Sequence, residues 1–103
     1  MASRKDQYNG DGHSIIDNRK RCYECYVCSN LEKHHCIHGI NRQHADEDGL
    51  WVYLCSSCHW KVHNGKDDEA RELRFRLMQD AERAYLETHT LGEWRQRYGR
   101  NYL

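Results

Sequence analysis

The sequence contains no proline, no internal repeat and no apolar run near the ~20 residues that a helix needs to span a bilayer. Up to Asp17 it is polar apart from Ile15 and Ile16, so no stretch of signal-peptide type is present. These absences argue against secretion and membrane insertion and lead to the expectation of an intracellular, cytoplasmic protein. A surplus of one charge is missing too. Sixteen Lys plus Arg face sixteen Asp plus Glu, so the strongly basic balance that marks many nucleic-acid binders is absent. Apolar content is also low: 38% over 103 residues, with a mean hydropathy of −1.11. A small chain this polar needs a staple besides apolar burial. Six cysteines are the obvious source, and in a reducing compartment paired cysteines point to metal and not to disulfides.

What is present is unevenly spread. Residues 1–21 carry Asn9-Gly10-Asp11-Gly12 and the basic Arg19-Lys20-Arg21, which reads as a flexible arm, with an ordinary disordered terminus as the plainer alternative. Residues 22–65 are dense in Cys, His and aromatics and read as the core. Within it, residues 31–37 suit a strand bearing His34, His35 and Cys36. The run Leu50-Trp51-Val52-Tyr53-Leu54 is the best strand in the chain. Residues 38–49 read as a loop, and 56–63 as a short helix stopped by Asn64-Gly65. In residues 66–103, Ala70, Leu73, Leu77, Ala81, Ala84 and Tyr85 recur at threes and fours. This predicts a helix over 67–89 whose stripe braces the core. Thr90-Leu91-Gly92-Glu93 has capping-box spacing, with Leu91, Trp94 and Tyr98 then lining one side of a last short helix. The fold class expected is therefore α+β, a metal-stapled core followed by a helical segment.

Cys25-x-x-Cys28 and Cys55-x-x-Cys58 are two CxxC knuckles. Each can aim two thiolates at one ion, and two together complete a tetrahedral zinc shell. Cys22-x-x-Cys25 is an equally legal knuckle in another register. Cys36, beside the histidine pair, fits a buried thiol better than a ligand. His34 and His35 are neighbours on a strand and so face opposite ways. His59 and His63 are four apart on the short helix and share a face. Together they suggest an open metal site with a base at hand, or else, for His59, an alternate ligand of the zinc cluster.

Taken together, Leu31-Glu32-Lys33-His34-His35, Leu54-Cys55-Ser56-Ser57-Cys58-His59 and His63 resemble the HNH nuclease pattern of the ββα-metal (His-Me finger) superfamily. The likeness extends over roughly residues 25–103 to the small zinc-knuckle HNH proteins of phages and prophages. There a segment similar to Asp48-Gly49-Leu50-Trp51-Val52-Tyr53 and an ending like Tyr98-Gly99-Arg100-Asn101-Tyr102-Leu103 recur. The resemblance implies a ββα-metal (HNH) core with a structural Zn²⁺ on Cys25, Cys28, Cys55 and Cys58. It also implies a catalytic divalent ion (Mg²⁺, Mn²⁺, Ni²⁺ or Zn²⁺) on His34 and His59, with His63 completing or supporting the shell. His35 would be the general base, DNA the partner and phosphodiester hydrolysis the reaction, in a host cytoplasm if the chain is phage-encoded.

The asparagine of the pattern falls nine residues before the last histidine, and that position is Leu50; Asn41 is the nearest stand-in. Asn41, Arg42 and His44, all in the same segment, are candidates for substrate contact, Arg42 and His44 with the scissile phosphate, a solvated loop being the alternative for those two. A competing function is a zinc-stapled DNA- or protein-binding module without catalysis, including a degenerate HNH protein. Such a module would use the same cysteines but would not need His35 beside His34.

Overall fold

A computed structural model describes residues 13–103, which form a small α+β fold. In chain order it comprises strand β1 (Leu31–His35), a single 3₁₀ turn (Gly39–Asn41), helix α1 (Arg42–Glu47) and strand β2 (Trp51–Cys55). Helices α2 (Ser56–Asn64), α3 (Asp68–Tyr85) and α4 (Leu91–Tyr98) follow. The strands pair antiparallel, with His34 opposite Val52 and His35 opposite Trp51. Side chains alternate along each strand, so Glu32, His34, Val52 and Leu54 share one face of the sheet, and Leu31, Lys33, His35, Trp51 and Tyr53 the other. His34, Val52 and Leu54 are fully buried.

The segment expected to be a loop over 38–49 holds the 3₁₀ turn and α1. Ala45 and Leu50, both 0% exposed, anchor it, and the Leu50 N–H donates to Ala45 O at 2.8 Å. Gly49 ends this segment with φ of +74°, a conformation that disfavours any side chain. A Cβ there would also lie 2.8 Å from His13 O, because residues 13–17 run alongside. Ile15 N–H donates to Gly49 O at 2.9 Å, and Ser14 Oγ donates to Trp51 O at 2.5 Å. Part of the stretch read as a free arm is thus fastened to the core; residues 1–12 lie outside the described residues.

Helix α3 opens on Asp67, whose carboxylate accepts from Ala70 N at 2.9 Å. It buries Ala70, Leu73, Leu77, Ala81 and Tyr85 on the face expected to brace the core, against Val62, Leu50, Trp94 and Tyr98. It stops at Tyr85, before the expected end at 89, as the ladder tightens: Glu87 N–H bonds Ala84 O, and Thr88 N–H bonds Tyr85 O. Thr90 must then be extended to cap α4, whose capping box with Glu93 is complete. Leu91, expected on the buried side of α4, is 42% exposed, whereas Trp94 and Tyr98 are buried. Glu82 is fully buried, and its Oε1 accepts from Tyr102 N at 2.6 Å, drawing the C-terminal residues onto α3. Arg74 donates to Val62 O and Gly65 O, satisfying carbonyls at the end of α2. Among the described residues, no helix is long and apolar enough to cross a membrane.

Leu77 is 1% exposed at the centre of the α3 contact. Leu77→Ala should lower unfolding free energy in urea titrations by about 2–5 kcal/mol, the usual range for emptying a buried leucine site. Leu91→Ala, at an exposed position, should change it by less than about 0.5 kcal/mol. Equal effects at the two sites would show that the stripe does not carry the packing.

Candidate metal centres

Two clusters of side chains able to ligate a metal meet at consecutive residues of α2, Cys58 and His59. The first is Cys22, Cys25, Cys55 and Cys58, whose sulfurs all lie within 4.8 Å of one another. This corrects the expected set: Cys22 takes the place of Cys28. The reason is the shape of the first turn. Cys22 N–H donates to Val27 O and Tyr26 N–H to Cys22 O, closing a loop in which Tyr26 takes the left-handed conformation at φ of +72°. Inside this loop Cys25 N–H points at Cys22 Sγ, 3.4 Å away. Cys28 falls beyond the turn and is exposed, its Sγ 3.8 Å from Tyr26 O. The other pair straddles a boundary: Cys55 ends β2, and Cys58 sits in the first turn of α2.

The chemistry of the four thiols fits a structural metal such as zinc. A tetrahedron with Zn–S bonds of about 2.3 Å has sulfur–sulfur edges of about 3.8 Å, and Cys25 Sγ and Cys55 Sγ are 3.7 Å apart. Burial raises the Cys22 thiol, but backbone N–H groups of Cys25, Cys55 and Glu24 outweigh it and bring its pKa down to about 6. Cys58 moves the other way, pushed up by burial and by the three neighbouring sulfurs. One thiolate therefore forms readily while Cys25 and Cys58 resist; a divalent cation would remove that conflict by deprotonating all four.

The second cluster is His34, His59 and His63, with one ring nitrogen of each within 4.8 Å of the others. His34 comes from the inner face of β1, while α2 contributes His59 and His63 one turn apart. His34 is 2% exposed. Burial, aided by the imidazoles of His38, His59, His63 and His35, depresses its pKa to about 3, so it is neutral with a lone pair to offer. His59 Nδ1 donates to Glu32 Oε1 at 2.5 Å, which leaves Nε2 as the lone-pair nitrogen. That Nε2 faces His63 Nε2 at 3.1 Å. Nitrogens bound tetrahedrally at about 2.0–2.1 Å would sit about 3.3 Å apart. A histidine held by a carboxylate on its far nitrogen is the arrangement usual behind a metal ligand.

Around this triad lies a cavity of about 310 Å³, lined also by Lys33, His35, His38, Gly39 and Arg42. His35 occupies the other face of β1, as strand alternation predicts, yet its edge reaches the cavity. Its Nε2 is 2.9 Å from Asp46 Oδ1. Burial lowers its pKa and outweighs the opposing pull of Asp46. Of the three substrate-contact candidates only Arg42 lines the cavity. Asn41 Nδ2 donates to Tyr98 O at 3.3 Å. His44 packs against Tyr98 and lines a different pocket with Tyr85, Glu93 and Arg97, because residues two apart on α1 point nearly opposite ways. Leu50 is wholly buried in the core.

Three residues of the site escape a reading of motifs: His38, which lines the cavity, and Glu32 and Asp46, which bond His59 and His35 from behind it. Glu32 was open to detection, since it lies two residues before His34 on the same strand face. Asp46 required knowing that 42–47 is helical, and His38 carries no spacing signal at all. No family model, curated protein or solved structure matches the chain.

The cysteine geometry separates two variants. Cys22→Ser should lose bound zinc, measured by elemental analysis, and lose its cooperative thermal transition. Cys28→Ser should keep about one structural ion per chain and melt like the parent. The reverse pattern would return Cys28 to the ligand set.

Proposed function

We propose that this chain is a metal-dependent endonuclease of HNH type that hydrolyses DNA phosphodiester bonds, with a structural zinc on its four clustered cysteines. The observation that carries this reading is the meeting of three imidazoles, His34, His59 and His63, in one cavity with the edge of His35 and with Arg42. A purely structural metal site has no use for an unligated histidine and a guanidinium at its mouth. The strand–strand–helix order of β1, β2 and α2 agrees with a ββα-metal core.

A divalent cation held by the triad would stabilise charge developing on the phosphate and on the leaving oxygen. His35 accepts a proton from water, and the oxygen so freed bonds to phosphorus. The bond from phosphorus to the leaving sugar oxygen breaks, and that oxygen takes its proton from solvent. Arg42 and Lys33 supply positive charge along the cavity wall for a bound phosphate diester. The buried Leu50, where the HNH pattern carries asparagine, favours the competing reading of a non-catalytic DNA-binding module.

Incubation with supercoiled plasmid and Mg²⁺, Mn²⁺ or Ni²⁺ should give nicked or linear product. His35→Ala should keep fold, metal and DNA binding but cleave about 10²- to 10⁴-fold more slowly, the usual cost of a positioned base. His34→Ala and His59→Ala should lose the catalytic ion and be partly rescued by raised Mn²⁺. Wild-type cleavage by His35→Ala would remove its assigned role. Plasmid binding without cleavage in any of these ions would select the non-catalytic module.

A further inference from the structure

His35 is gripped at both ring nitrogens by one face of α1. Asp46 Oδ1 is 2.9 Å from Nε2, and Arg42 Nε is 3.4 Å from Nδ1. Arg42 and Asp46 are four residues apart and therefore stack on the same side of the helix. A third residue steadies the carboxylate: Lys33 Nζ is 2.7 Å from the same Oδ1, and it lies over the Trp51 ring at 4.5 Å. Lys33 and His35 are two apart on β1 and share its outer face, so a single acid on α1 reaches both.

These contacts choose a tautomer. An ionised carboxylate only accepts, so the Nε2 facing Asp46 carries the hydrogen. A guanidinium only donates, so the Nδ1 facing Arg42 carries the lone pair. Both neighbours select the same form. We propose that Asp46, braced by Lys33, is the positioning residue that holds His35 as the Nε2–H tautomer and turns Nδ1 toward the cavity as the basic atom. This deepens the endonuclease reading and rests on it. Leu50 has no polar group with which to orient a histidine, and in this chain the task falls to the acid on α1.

Arg42 has a part in the same arrangement. Its Nε–H occupies the Nδ1 lone pair, and a phosphate diester in the cavity competes for that guanidinium. Substrate entry therefore uncovers the base where the phosphorus arrives. A proton moves from water to Nδ1, the water oxygen bonds to phosphorus as the leaving P–O bond breaks, and the imidazolium formed lies against the Asp46 carboxylate.

The test has a spectroscopic and a kinetic arm. Long-range ¹H–¹⁵N NMR of ¹⁵N-histidine-labelled, zinc-loaded protein at pH 8, without added catalytic ion, should show His35 protonated at Nε2. Asp46→Ala should move the proton wholly or partly to Nδ1, and Asp46→Glu should restore Nε2–H. In plasmid cleavage, Asp46→Ala should lower kcat about 10- to 100-fold, as loss of an orienting partner does at comparable sites. KM should stay within about twofold and Asp46→Glu should recover part of the rate. An Nδ1–H tautomer in the unmutated protein overturns the proposal without recourse to any variant, even if Asp46→Ala fails to fold. Unchanged tautomer and kcat in a folded Asp46→Ala overturn it as well. A parent protein that never cleaves DNA defeats the endonuclease reading, while the NMR arm still decides whether Asp46 sets the tautomer.

Discussion

Four sulfurs within 4.8 Å of one another are the condition on which the rest of this chain rests. Held together as thiolates without a cation they would repel; around a divalent ion the same closeness becomes cohesion. They join the turn at residues 22–27 to the end of β2 and the first turn of α2, segments that are distant in sequence. A two-stranded sheet is marginal by itself in water, and β1 and β2 form only such a sheet among the described residues. The cysteines fix one end of that sheet, and α3 covers it through Leu73 and Leu77. Polar composition and small size are compatible with a defined fold because the apolar core is shared between this staple and one long helix.

The histidine cavity follows from the same junction. Helix α2 departs directly from Cys55, so the direction set by the cysteines is also the direction in which His59 and His63 project. His34 meets them from the inner face of β1, while His35 on the outer face is reached by α1. Both faces of a five-residue strand are thereby used, one for His34 in the imidazole cluster and one for His35 held by a carboxylate. Helix α4 keeps α1 in place: Arg97 bonds Asp48 and Glu47, and Tyr98 Oη donates to Asp48 at 2.5 Å. Residues far from the cavity in sequence thus govern where Arg42 and Asp46 stand.

Much of this is legible in the sequence. β2, α2, α3 and α4 announce themselves through β-branched and aromatic runs, helical periodicity and a capping box, all local signals. The convergence of His34, His59 and His63 was readable from strand alternation and helical spacing combined. The choice between Cys22 and Cys28 was not, because CxxC spacing is satisfied either way; it depends on a left-handed Tyr26 that no propensity indicates. α1 was hidden for a similar reason. Its six residues are mostly polar, and its helicity comes from tertiary anchoring of Ala45 and Leu50. Missing that helix separated Asp46 from His35 and left unforeseen that Asn41 and His44 turn to Tyr98 and do not line the cavity. The arm failed to read as docked because Ser14 Oγ and the Ile15 N–H hold it to backbone carbonyls, which leave no mark in composition.

Cys58 and His59 are consecutive residues, and α2 has only nine. An ion on the sulfur cluster would tie down the first turn of this helix, and an ion held by the histidines would draw on the next turns of the same helix. Were both places filled, their occupancies would be linked, and linkage is reciprocal: each ion would raise the affinity of the chain for the other by the same factor. Such a helix would act as a conjunction of two metal supplies, its histidine face filled only where both are plentiful.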